Sequence, residues 1–233
     1  MAVLSDPNQP KIDNYFSTPV WLFDKPEWVP KIIKATDKYV KEAYNRDKPK
    51  MKEREKAWGK ADYKKMGDHG WSYHSGPLQG DPDLKELHDW VGQTAWNFLD
   101  WQGFDLKDYS LFFTESWVQE FSKKGGGHHN SHVHWDNHVS AFYYLKCTEK
   151  TSLPVFHDPR AGAMMSKLPE KKKEDVSYAS GAVHYKPKPG TMIFIPAYIA
   201  HEYAIDNGLD PFRFIHFNLQ AVRNMIIDGV KNK

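Results

Sequence analysis

The segment His132-Val133-His134-Trp135-Asp136-Asn137-His138 spaces four ionisable side chains two residues apart. On an extended strand, side chains alternate between faces, so an unbroken strand here aims His132, His134, Asp136 and His138 at one side. Burying that face without a metal is costly, because desolvation penalises every charged form. A remote histidine, His201, stands far downstream, and Arg213 follows it by twelve residues. A His-x-Asp pair with a distant histidine makes the two-His-one-carboxylate set that holds non-haem Fe(II) with open positions. The spacing therefore points to an enzyme built on strands.

Two registers compete within the segment: His134 with Asp136, or His132 with His134 as a two-imidazole pair. The first is preferred, because Tyr144 shares the parity of His134 and extends the same face. His132 then sits at the mouth and His138 lines the pocket. His201 follows a tight turn, Pro187-Lys188-Pro189-Gly190, and an apolar run, Thr191 to Ile195, that can carry the next loop over a barrel mouth. His216 is its rival, mid-strand and opposite in parity to Arg213. Arg213 lies among Phe212, Phe214, Ile215 and Phe217, and a buried guanidinium requires an anion, which a ligand carboxylate can supply. Arg160 reads as structural or as part of the substrate rim. A structural zinc site would need four closed ligands, usually cysteine-rich, and Cys147 has the opposite parity.

Composition narrows the classes. A formal charge of +2, with 27% charged residues, fits neither a nucleic-acid surface nor an acidic tail. One cysteine excludes an internal disulfide framework and suits a reducing, cytoplasmic compartment. Neither a leader peptide nor a membrane-spanning run is expected. Nine tryptophans suggest an aromatic core, with only Trp117 and Trp135 near the proposed site.

The chain reads as one domain, 1–233, with helical and loop-rich support over 1–108 and a β core over 109–223. Ser17 to Phe23 predicts a short opening strand. Val29, Ile32, Ile33, Val40, Ala43 and Tyr44 recur at helical spacing. Arg46 to Lys65, rich in cations, predicts a solvated loop or lid. Asp81 and Pro82 start a second helix whose apolar face runs from Leu84 to Leu99, with Gly103 at its end. From Tyr109 the texture turns to aromatic and β-branched runs, broken by Gly125-Gly126-Gly127 and by Pro-Gly and Asn-Gly turns. Short strands in that rhythm predict a mainly β fold with flanking α-helices, a jelly roll or double-stranded β-helix. The loops 125–130, 46–65 and 164–175 are expected at its mouth.

These residues resemble the Fe(II)- and 2-oxoglutarate-dependent oxygenase superfamily, and more narrowly the 2-oxoglutarate–iron oxygenases of marine bacteria and their phages. The narrower likeness rests on Thr18-Pro19-Val20, Gly70-Trp71-Ser72, Ser116-Trp117-Val118, His132-Val133-His134 through Tyr144, Phe156 to Arg160, Phe194-Ile195-Pro196 with His201-Glu202, and Arg213 with Phe217-Asn218. The resemblance implies Fe(II) on His134, Asp136 and His201, and 2-oxoglutarate with its distal carboxylate on Arg213 and Tyr144. Gln119 would lie near the other carboxylate. It implies a dioxygenase that consumes dioxygen, hydroxylates an unidentified substrate and releases succinate and CO2. The chain departs from the pattern at Trp135, where the narrow group has proline, and at Ile215, where a serine often assists the arginine. Asp136 argues for hydroxylation over halogenation. Two other readings of the same architecture are a cupin-type metal dioxygenase that needs no keto acid and a non-catalytic jelly-roll binding protein. Nothing in the loops identifies the substrate.

Overall fold

A computed structural model describes residues 15–59, 66–160, 162 and 168–225. Its strands are β1 (Trp21–Asp24), β2 (Ser72–His74), β3 (Tyr109–Phe121), β4 (His129–His132), β5 (Val139–Lys146), β6 (Pro154–His157), β7 (Ala182–His184), β8 (Thr191–Pro196), β9 (His201–Tyr203) and β10 (Arg213–Arg223). They form a six-stranded sheet, β1-β8-β5-β10-β3-β2, and a four-stranded sheet, β4-β9-β6-β7. Every pairing is antiparallel. This is the double-stranded β-helix the turn rhythm predicted.

The central strands of the larger sheet are buried on both faces, which is why they read as near-continuous apolar runs. One face of β5 and β10, carrying Val139, Ala141, Tyr143, Ile215, Phe217 and Leu219, packs under the helices. The other face, with Phe142, Tyr144, Phe212 and Phe214, joins Phe156 and Tyr203 of the smaller sheet. Two cores therefore share one sheet, and the parity of a residue decides which core it enters.

Helix α1 spans Val29–Trp58, so the loop expected from Arg46 corrects to helix as far as Trp58; residues 60–65 lie outside the described residues. The buried stripe continues past Ala43 through Asp47 and Met51. Asp47 is held there by Arg46 and by the indole N–H of Trp71. A polar residue can thus carry a helix face where an aliphatic pattern stops. Helix α2 (Lys85–Trp101) follows a 3-10 turn at Pro82–Leu84, and Asp81 accepts from the Asp83 N–H as the capping pattern predicted. Gly103 follows that helix in the left-handed region.

The lead into β4 is fixed by close backbone approach. Gly208 has φ +72, and a Cβ there would lie 2.4 Å from the Gly125 nitrogen. Only glycine serves at such a contact. Among the described residues, no helix is long and apolar enough to cross a membrane.

Candidate metal centre

Strand β4 carries a bulge. His129 pairs with Tyr203 and His132 pairs with His201, so three steps on β4 answer two on β9. Strict alternation from His129 would turn Ser131 inward; the extra residue turns His132 inward instead. The strand then ends, and the chain crosses to β5 through Val133–His138. The unbroken strand expected over 132–138 is therefore corrected. His134 is placed by that crossing, where its N–H bonds the Ala197 carbonyl at 3.2 Å.

His132, His134 and His201 converge, each offering a nitrogen within 4.8 Å of the others. Ring centroids are 4.5 Å apart for His132–His201, 5.0 Å for His132–His134 and 5.1 Å for His134–His201. Asp136 is not part of this convergence. It is solvent-exposed at φ +61, in a turn where the Asn137 N–H reaches the His134 carbonyl. Aspartate tolerates the left-handed region better than most residues, so its presence reflects turn chemistry. His138 leaves the face as well, accepting the Ala221 N–H at its Nδ1.

The donor set fits a divalent transition metal. His201 Nδ1 donates to the Ile199 carbonyl at 3.0 Å and His132 Nδ1 to the Asn130 carbonyl at 2.7 Å, leaving each Nε2 lone pair free. His134 Nε2 is buried with no partner. Burial, reinforced by neighbouring imidazoles, pushes His134 down to about 4. Burial likewise takes His201 down to about 3. These rings are neutral at pH 7, as ligands must be.

Arg213 belongs to the other core. Its Nε bonds Glu120 Oε2 and its Nη1 bonds Asp37 Oδ1 of α1, both at 2.7 Å. Lys146 reaches the same Glu120 at 3.2 Å. The expectation that Arg213 takes the distal carboxylate of 2-oxoglutarate is corrected: its anions are protein carboxylates on the helix side of the sheet. The parity that puts Arg213 outward puts Phe214, His216 and Asn218 inward.

Tyr144 and Gln119 do face the interior. The Tyr144 hydroxyl lies 3.0 Å from that of Tyr203, and burial raises both phenols so that they stay protonated donors. Gln119, opposite Phe214, is buried with Oε1 unpartnered. Sequence reasoning missed His129, Glu115 and Asn218 and set His216 aside. The signal for His216 and Asn218 was available, since both share the parity of Phe214. Trp117 lies between His74 (ring centroids 4.1 Å apart) and His216 (4.7 Å), tilted against each, whereas Trp135 is exposed. Arg160 pairs with Asp158, as a structural or rim residue would. Beside the centre lies a cleft of about 510 Å³, walled by Phe156, Asp158, Arg160 and Ile199.

Residues 115–218 match the family described as "Putative 2OG-Fe(II) oxygenase". This segment runs from within β3 to within β10, and over it the chain is similar to the 2OG-Fe(II) oxygenases. Among solved structures, a viral collagen prolyl hydroxylase from Paramecium Bursaria Chlorella virus-1 aligns with a TM-score of 0.51 at 10% identity, covering 93% of this chain and 98% of that one. A 2OG-Fe(II) oxygenase family oxidoreductase from Burkholderia pseudomallei gives 0.45 at 13%, covering 64% and 68%. The epimerase SnoN of nogalamycin biosynthesis gives 0.45 at 14%, covering 64% of each chain. None of the curated proteins compared matches the sequence.

Proposed function

We propose that the protein oxidises an unactivated C–H bond, most simply by hydroxylation, with His132, His134 and His201 holding the Fe(II). The carrying observation is the convergence of those three imidazoles, two of them oriented by backbone carbonyls. A three-imidazole set supplies no anionic ligand, so the keto acid would bring the negative charge to the metal. Tyr144 and Tyr203 would donate to its distal carboxylate, and Gln119 would orient it from the opposite strand. Fe(II) and 2-oxoglutarate would together supply the activation of dioxygen; the protein's share is positioning and exclusion of water. The substrate would enter from the cleft beside Phe156 and Ile199. Phe156 pairs with His201 across the smaller sheet, which puts the cleft wall next to a ligand.

The reading is tested by anaerobic titration with Fe(II) and 2-oxoglutarate, following the visible charge-transfer band of the keto-acid complex. The wild type should develop the band, and the His132→Ala and His201→Ala variants should not. A full band in both variants would remove the three-imidazole assignment. Succinate release without a bound keto acid would be impossible, so a silent assay across a substrate panel, with the band present, would leave only the substrate open.

A further inference from the structure

His216 is a fully buried interior imidazole that the reading above leaves unused. It is 1% exposed, and neither ring nitrogen has a hydrogen-bond partner among the described residues. Asn218, next on the same face, approaches it without a bond of normal length and angle. Buried polar groups are nearly always paired, so an orphaned ring in mid-strand calls for a missing partner. Its ring lies 4.6 Å from that of His134 and 6.4 Å from that of His201. Glu115 closes the group: Glu115, His134 and His216 each present a ligand atom within 4.8 Å of the others.

His134 is the ring common to both clusters. Asn218 Nδ2 joins Glu115 Oε2 at 2.7 Å and His134 Nδ1 at 2.8 Å. The Nδ1 edge of His134 thus faces the carboxylate, while its buried Nε2 has no partner. Two edges of one imidazole serve two sides of the cavity. We propose that Glu115, His134 and His216 form a second position for a divalent first-row cation, sharing His134 with the first; a neutral imidazole offers one lone pair, so filling both positions at once releases the remaining N–H proton of His134 to solvent. This set has what the first lacks. It brings a carboxylate to two imidazoles, a donor combination suited to Fe(II), Mn(II), Co(II) or Zn(II). Asn218 gives up its bond to His134 when the cation arrives and keeps the one from Ser140 to its Oδ1.

The test uses Co(II), whose visible d–d bands report coordination, on full-length protein with folding checked by circular dichroism. In the His132→Gln/His201→Gln double variant, one equivalent of Co(II) should still bind. Adding His216→Phe or Glu115→Gln should abolish that binding. Double-variant protein that binds no Co(II) while the wild type does would overturn the second position and leave the first intact. Binding that survives His216→Phe and Glu115→Gln would overturn it too. Should wild type bind no Co(II) at all, both positions fail. Anomalous scattering from wild-type crystals soaked in Co(II) checks the same point without substitution. A peak bounded by Glu115, His134 and His216 is expected, and density confined to His132, His134 and His201 at saturating metal counts against it.

Discussion

His132 stands directly across the β4–β9 pair from His201, with ring centroids 4.5 Å apart. Cross-strand partners point to the same face, so this one pairing fixes two imidazoles from segments remote in sequence onto one point inside the barrel. His134 reaches that point from the crossing to β5. The metal preference of the site follows from which residue completes the set.

Substituting His132 should therefore weaken metal binding far more than substituting Asp136. Even residues that only orient ligands typically cost about 10- to 100-fold in metal affinity, and loss of a ligand should exceed that range. His132→Ala is expected to lose at least about 100-fold in Fe(II) or Mn(II) affinity by anaerobic titration. Asp136→Asn should stay within about threefold of wild type, since the side chain is exposed and asparagine tolerates the same left-handed backbone. The reverse order would restore the aspartate as a ligand.

Three desolvated imidazoles, His129, His134 and His201, make the metal-free protein acid-sensitive. Burial takes His129 and His134 down to about 4 and His201 to about 3. In the unfolded chain such rings titrate near about 6.5. Between those values the unfolded state binds protons that the folded state refuses, so stability rises with pH across this window and falls on acidification. Above about 6.5 both states are neutral and these rings add no slope. Melting of metal-free protein should be level above that pH and drop steadily below it, and His201→Phe should flatten the drop. A wild-type Tm independent of pH down to about 4 would contradict the burial of these rings.

The fold was legible because turn residues and aromatic runs are local signals: Pro189-Gly190, Asn207-Gly208 and the strands on either side stand where the sequence puts them. His201 was legible as a candidate because it follows the apolar strand β8 across a short turn, and His134 because it stands in a histidine-rich segment, although it lies in the crossing after β4. Asp136 was not. The parity argument assumed one strand through 132–138, but the strand ends at His132 and the chain turns at Trp135-Asp136, so the count does not carry to Asp136. Arg213 failed in the opposite way. Its burial was read correctly, but burial asks only for an anion, and no sequence pattern says whether Glu120 or a ligand provides it. Helix α1 extends through Arg46 to Trp58 because Asp47 is buried by its pairing with Arg46 and Trp71, an exchange invisible to a search for apolar spacing.

If Tyr144 and Tyr203 hold the distal carboxylate, removing one hydroxyl should act on the co-substrate alone. A hydrogen bond to a charged group contributes about 1.5–3 kcal/mol, so Tyr144→Phe should raise the KM for 2-oxoglutarate roughly 10- to 100-fold. Metal affinity should be unaltered. The shapes are conserved, and among the described residues the hydroxyl pair is the bond that is lost. An unchanged KM in both Tyr144→Phe and Tyr203→Phe would place the keto acid elsewhere.

Arg213 should behave as part of the scaffold. Its guanidinium is 4% exposed and joins Glu120 on β3 to Asp37 on α1, tying the sheet to the helix layer. Breaking a buried ion pair typically costs about 3–5 kcal/mol, because the abandoned partner stays desolvated. Glu120 keeps Lys146 at 3.2 Å and Asp37 is largely exposed, so Arg213→Met should sit at the lower end, about 3 kcal/mol in urea unfolding. The KM for 2-oxoglutarate in the surviving folded fraction should equal that of wild type. A sharp rise in that KM with little loss of stability would return the arginine to the co-substrate, and would require β10 to turn its other face to the barrel.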